Sequence, residues 1–284
     1  TLNQLNQTNG WVQGRTLTVT NWNWYAGYHV RGVPSLNDQD DRTIIPVGGT
    51  MNLLGTAARN LTYYTGTGPS RTLDNYGTVN WAGAAVLTSY GQFNNYGFVN
   101  VSGIDAPQYY SPSGTYPSYW NNYGTFTRSA GTLFYFQGGY VNNFGLMNLQ
   151  QGAVSIYNAT FTNSTGLLNV GTNGLFQSEA SAVVAFKSGS QIIAPTLDSV
   201  RLGGAASYLE TTNLLSPSLW QQAGTLYQRT NIVVAKLDMS GGALQLDIPA
   251  ALSQLNQTNG DVQGRTLTVT NWNWFAGHHY RGTT

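Results

Sequence analysis

The end of this chain repeats its beginning. Residues 2–32 read LNQLNQTNGWVQGRTLTVTNWNWYAGYHVRG and residues 252–282 read LSQLNQTNGDVQGRTLTVTNWNWFAGHHYRG. At this offset of 250 only five of the 31 aligned positions differ: Asn3/Ser253, Trp11/Asp261, Tyr25/Phe275, Tyr28/His278 and Val30/Tyr280. Self-similarity at a fixed period marks repeat architecture, in which each unit is completed by its neighbour. The expected organisation is a tandem array, with residues 1–250 as one unit and 251–284 opening the next as a duplicate of 1–34. An extended or polymeric structure is therefore favoured over a compact enzyme.

A shorter period runs inside the unit. Aligned on an Asn-x-Gly turn, the segments 74–93, 94–120, 121–141, 142–162 and 163–183 open DNYG, NNYG, NNYG, NNFG and NSTG. Their turn glycines are Gly77, Gly97, Gly124, Gly145 and Gly166, at spacings of 20, 27, 21 and 21. Short alternating strands such as TVNW at 78–81 and FVNV at 98–101 follow the turns, and no helical period occurs anywhere. The fold class is all-β. A sandwich or barrel would use hairpins of less regular length, whereas a β-solenoid stacks one coil per rung and places the same residue type at the same corner of each. Asn75, Asn95, Asn122 and Asn143 recur in this way, with Ser164 at the matching position of the fifth segment. Stacked Asn amides can hydrogen-bond up and down a ladder, Asn and Gly tolerate a left-handed corner, and Tyr76, Tyr96, Tyr123 and Phe144 predict a parallel column of rings. The prediction is a parallel β-helix with rungs of about 20–21 residues, right-handed by the general crossover rule.

The pattern resembles the right-handed parallel β-helices of bacterial surface and secreted proteins: autotransporter passengers, filamentous-haemagglutinin-type adhesins and giant tandem-repeat exoproteins. The likeness is strong over 70–183, weaker at the duplicated ends, and generic to the architecture. It implies an extracellular or cell-surface location.

Composition agrees with a structural role. Only 8 % of residues are charged against about 25 % in a typical soluble domain, so amides and hydroxyls wet the surface. Hydrophobic residues make up 41 % and aromatics 13 %, too many to bury for a disordered chain. A net charge of +1 gives no reason to expect a nucleic-acid partner. Without cysteine there is no disulfide framework and no thiolate metal site. No apolar run approaches the roughly 20 residues that span a bilayer, and any signal peptide would lie upstream of residue 1.

Candidate sites are few. Residues 104–120, IDAPQYYSPSGTYPSYW, lengthen one rung and read as a loop whose Tyr109, Tyr110, Tyr116, Tyr119 and Trp120 could stack on sugar rings or a fibre neighbour. Asn-x-Ser/Thr sequons at Asn6, Asn60, Asn100, Asn158, Asn163 and Asn256 are candidate glycosylation sites. The acidic run Asp38-Gln39-Asp40-Asp41 lacks the spaced Gly and distal Glu of a calcium loop and reads as a solvated loop. His29 and His279 are one position in successive copies, better suited to a turn than to catalysis, and no second acidic cluster supplies an acid/base pair. No metal, cofactor or catalytic residue is expected. The expected function is a structural protein forming a fibre, sheath or adhesin stalk, whose partner is itself through head-to-tail units. The alternatives are a polysaccharide-acting β-helix enzyme and a carbohydrate-binding module.

Overall fold

A computed structural model describes residues 1–31, 41–62, 71–84, 86–103, 107–112, 118–216, 218–230 and 233–281. The chain is an all-β, parallel β-solenoid of about 12 turns. Each middle rung has three strands, for example Gln92–Asn95, Phe98–Val101 and Gln108–Tyr110, before Tyr119–Asn122 lands on Gln92–Asn95 and the coil repeats. We number the three faces in that order. Face one runs through Thr72–Asn75, Gln92–Asn95, Tyr119–Asn122, Tyr140–Asn143 and Thr160–Asn163. Face two runs through Thr50–Leu53, Thr78–Trp81, Phe98–Val101 and Thr125–Arg128, and face three through Arg59–Thr62, Val86–Ser89, Gln108–Tyr110 and Leu133–Gln137.

Alternation along each strand builds the interior. The face-two strands TMNL, TVNW and FVNV point Met51/Leu53, Val79/Trp81 and Val99/Val101 inward, all essentially fully buried. In the widest rungs the interior is aromatic: Phe93 and Trp120 stack at 4.1 Å and 3°, with Phe126, Phe134, Phe136 and Tyr109 packed around them. Burying each such ring contributes about 2–3 kcal/mol.

The rung length varies more than the sequence period predicts. It is 20 or 21 residues where Phe98 sits on Thr78 and Leu146 on Thr125, but 17 where Val19 sits on Leu2 and 32 where Arg59 sits on Gly27. The strands still pair parallel and in register at each of these lengths, so the core cross-section is conserved. Within 104–120, the described residues 107–112 and 118–120 correct the loop reading, and residues 104–106 and 113–117 lie outside the described residues. Gln108–Tyr110 and Tyr119–Asn122 are strands that continue faces three and one, and Tyr109 and Trp120 are core residues with no solvent exposure. The tyrosine and proline content of the segment hides the alternation that buries them. Tyr110 is half-buried, Tyr119 lies outside against Tyr140 at 5.2 Å, and Tyr116 is outside the described residues.

Three arginines are buried, and of the three Arg71 has a carboxylate, Asp41, whose charge favours its ionised form. Arg59 donates to the carbonyls of Trp24, Ala57 and Leu54, and Arg71 to Thr43 Oγ1 and the carbonyls of Gly14, Arg15 and Arg42. Arg128, in line with Trp81, Val101 and Leu149 on face two, donates to the Gly103 and Leu133 carbonyls. Burial pushes each guanidinium down to about 10, so all remain charged at neutral pH. Each ties carbonyls at irregular corners to the regular strands, satisfying groups that would otherwise be costly to bury.

The corner glycines are required for a different reason than expected. Gly77, Gly97, Gly124 and Gly145 do not have a left-handed φ. Instead, a Cβ on each would overlap the carbonyl oxygen of the glycine one rung earlier: Gly49, Gly77, Gly97 and Gly124. The rungs approach through these α-carbons, so the column excludes side chains rather than demanding a special backbone. Gly124→Ala should therefore destabilise the protein by about 1–3 kcal/mol or more. Gly189→Ala, where a Cβ meets the Ser164 carbonyl oxygen tightly at 3.3 Å but without overlap and Thr165 at 3.4 and 3.8 Å, should cost less than Gly124→Ala, staying within about 1 kcal/mol of the parent. Paired urea denaturation curves check both.

Candidate functional site

The corner between faces one and two carries the most regular side-chain array. Asn75, Asn95, Asn122 and Asn143 each end a face-one strand with no solvent exposure. Asn75 Nδ2 donates to Asn95 Oδ1 at 2.7 Å, Asn95 to Asn122 at 2.7 Å, Asn122 to Asn143 at 2.7 Å and Asn143 to Asn163 at 2.8 Å. The second proton of each amide goes to the carbonyl of Phe98, Thr125, Leu146 or Leu167, which opens face two of the next rung. At the start of the ladder Asn75 Oδ1 also accepts from the Gly77 N–H at 3.1 Å. Both amide protons are thus used inside an apolar column.

The fifth rung corrects the alignment. Ser164 does not take the ladder position; Asn163 pairs with Asn143 in register and accepts its amide, because the following corner is one residue longer. A second ladder went unread in the sequence. Asn142 donates to Asn121, Asn121 to Asn94 and Asn94 to Asp74, at 2.9, 2.9 and 2.8 Å, and Arg42 closes the end on Asp74 at 3.1 Å. Its signal was the first Asn of each Asn-Asn pair. A third ladder runs down face two through Asn6, Asn23, Asn52 and Asn80.

Beyond the corner, Tyr76, Tyr96, Tyr123 and Phe144 form a column of nearly parallel rings 4.7–5.0 Å apart and 6–8° out of plane. They are 36–45 % exposed. Because each interior ring has its faces covered by its neighbours, the column offers edges and hydroxyls to solvent. A sugar that stacks on an open aromatic face finds one only at the two ends of the column.

The sequons divide by geometry. Asn163 is fully buried with its amide in the ladder, so its nitrogen cannot carry a glycan. Asn256 donates its amide to Asp238 at 2.6 Å, Asn60 and Asn100 are half-buried, and Asn6 and Asn158 are exposed. Asp38 and Asp40 lie outside the described residues, and no cluster of three or more metal-ligating side chains occurs among the described ones.

His29 is in the core rather than at a surface turn. It packs against Trp22 and Trp24 at centroid distances of 4.2 and 5.2 Å. Arg71 Nε donates to Thr43 Oγ1 at 2.7 Å, and Thr43 in turn faces His29 Nδ1 at 3.1 Å. The hydroxyl accepts from Arg71 and is the hydrogen-bond partner of Nδ1, while Nε2 is buried without a hydrogen-bond partner. Burial, reinforced by the Arg71 charge, holds the imidazole well below its usual range. In the second copy, His279 packs on Trp272 and Trp274 at 4.2 and 4.9 Å and bonds through Nε2 to Gln257 Oε1 at 3.0 Å.

The two copies of the repeat differ in what covers them. Trp22, Trp24 and Val30 are buried beneath the rungs that follow, whereas Trp272, Trp274 and Tyr280 are 39, 58 and 52 % exposed on the last rung. On the opposite side the order reverses: Leu252, Leu255 and Val262 are buried, while Leu2 and Trp11 of the first rung are 42 and 58 % exposed. No known protein family, characterised protein or solved structure matches the chain. No helix long and apolar enough to cross a membrane occurs among the described residues.

Two outcomes follow. Asn122→Leu should destabilise the protein by about 1–3 kcal/mol, since it strands the amide proton of Asn95 and the Leu146 carbonyl; a denaturation midpoint equal to the parent's would contradict the ladder. His29 is neutral when folded and free to protonate when unfolded. Stability is thus complete above about pH 6.5 and falls as pH drops below it, by at most about 1.4 kcal/mol per pH unit. His29→Gln should flatten this part of the stability–pH profile.

Proposed function

We propose that the chain is a structural solenoid that builds an extracellular fibre, sheath or adhesin stalk from units stacked end to end, in the manner of the bacterial surface β-helices it resembles. The observation that carries this reading is the duplicated segment. Both copies fold into the same rung pair, in which Asn23 donates to Asn6 and Asn273 to Asn256, each at 2.8 Å, and a His sits on two tryptophans. A sequence kept interchangeable at both ends of a 250-residue unit suits neighbours that meet through the same rung. The low charge and the amide and hydroxyl surface support an exposed, protein-lined polymer.

Sugar binding gains little support, because Tyr109 and Trp120 are interior and the stacked rings Tyr96 and Tyr123 of the corner column hide their faces. Catalysis gains little from His29, which is sealed in the core.

Electron microscopy of the native material tests the proposal. Unbranched fibres a few nanometres wide with an axial repeat near about 55 Å, the height of one unit at roughly 4.8 Å per rung, are expected. Discrete particles without an axial repeat would contradict it.

A further inference from the structure

Face three brings a lysine, a carboxylate and a carboxamide together on neighbouring rungs. Val233–Met239 pairs in register with Ala250–Gln257, and that strand with Leu267–Trp274, so Asn256 lies between Asp238 and Asn273. Leu237 and Met239 are buried in the core. Lys236 and Asp238, which alternate with them, therefore both point outward from one strand.

Asp238 bridges two groups. Its Oδ2 lies 2.6 Å from Lys236 Nζ, and its Oδ1 accepts from Asn256 Nδ2 at 2.6 Å. Oδ2 is shielded from water and accepts no well-directed hydrogen bond, so the lysine beside it is its partner. The other end of the carboxamide is held as closely. Asn256 Oδ1 accepts from Gln254 Nε2 at 3.0 Å and from Asn273 Nδ2 at 2.8 Å.

We propose that Lys236 and Asn256 join through an isopeptide bond, with Asp238 carrying the protons. The inference is independent of the fibre reading.

Every part of an acyl transfer is in place. Asp238 takes a proton from the Lys236 ammonium and frees the nitrogen lone pair. Nζ attacks Asn256 Cγ, and the charge that develops on Oδ1 is held by the Gln254 and Asn273 N–H groups already aimed at it. Asp238 then protonates Nδ2, the atom it already accepts from, and the Cγ–Nδ2 bond breaks. The remaining surplus proton of Nζ leaves by the same carboxylate. One C–N bond thus replaces another, an ammonium ion departs with the charge of the lysine, and Asp238 ends as it began. No oxidant or cofactor is consumed. Lys236 and Asn256 are diagonal neighbours, one rung and two residues apart, so their α-carbons are roughly 8 Å from each other. The four-carbon stem of lysine and the short arm of asparagine cover that distance.

The chain has one other lysine, Lys187. It contacts Glu210, which Arg229 shares, and no carboxamide donates to that carboxylate among the described residues. The chemistry is therefore specific to Lys236. Its product would tie two successive rungs covalently, where hydrogen bonds alone would part under a pull along the axis.

Mass spectrometry of the purified 284-residue chain tests this. The intact mass should fall short of the sequence mass by one ammonia. Trypsin should fail to cut after Lys236 and should release residues 230–265 as a single peptide lacking one ammonia, while cleavage after Lys187 proceeds as an internal control. Lys236→Arg and Asn256→Ser should each show the full sequence mass. Asp238→Asn, nearly identical in shape and with the circular dichroism of the parent, should form the bond about a hundredfold more slowly. A parent chain of full mass that releases residues 230–236 and 237–265 separately would overturn the proposal. So would an ammonia lost while Lys236 stays cleavable, since a succinimide at Asn259-Gly260 would then account for it, or a folded Asp238→Asn chain that cross-links as fast as the parent.

Discussion

Everything in this protein depends on parallel stacking of one rung on the next in fixed register. Each strand hydrogen-bonds only to its counterparts one rung before and one rung after, so a slip of one residue would turn every inward side chain outward. Backbone bonds do not by themselves distinguish one register from another, because every peptide offers the same donor and acceptor. The side-chain ladders supply the missing information. Asn75 meets Asn95, and Asn95 meets Asn122, only when their strands are aligned, and the glycines beside them fit only under the carbonyl of the glycine below. A slipped rung would bury an unpaired amide or drive a Cβ into a carbonyl.

The dependence on stacking explains how the coil tolerates rungs of very different length. Gly27–Arg31 and Arg59–Thr62 still pair in parallel register although 32 residues separate them, so the columns stay intact. Where the turn is irregular, a buried guanidinium gathers its loose carbonyls, as Arg59 and Arg71 do in the first rungs and Arg128 does in the middle. The charge survives burial because several carbonyl dipoles replace the water it loses.

Much of this was legible in the residues. The Asn-x-Gly period revealed the parallel coil, the main ladder and the ring column, since each recurs at one corner and needs no knowledge of distant parts of the chain. Other features were hidden because their cause is three-dimensional. Tyr109 and Trp120 looked like a surface loop until pairing with neighbouring rungs showed which side of the strand they occupy. The glycine column looked like a matter of backbone conformation, whereas its cause is an approach between residues about 20 positions apart. His29 and His279 share a sequence neighbourhood and differ in burial, because what covers a rung is decided by the next one. The two copies also sit one face apart, residues 21–24 on face two and residues 271–274 on face three, which is invisible in a period of 250 residues and appears only when each copy is assigned to its faces.

Buried Asn amides lock the register. Side-chain amide hydrogen exchange at Asn95, Asn122 and Asn143, followed by nuclear magnetic resonance, tests it most directly. If the ladder holds, both Nδ2 protons of these residues exchange as slowly as the backbone amides of the strands they end, while those of exposed Asn158 exchange at the rate of a free peptide. Fast exchange at Asn122 and Asn143 in an otherwise protected core would contradict the account.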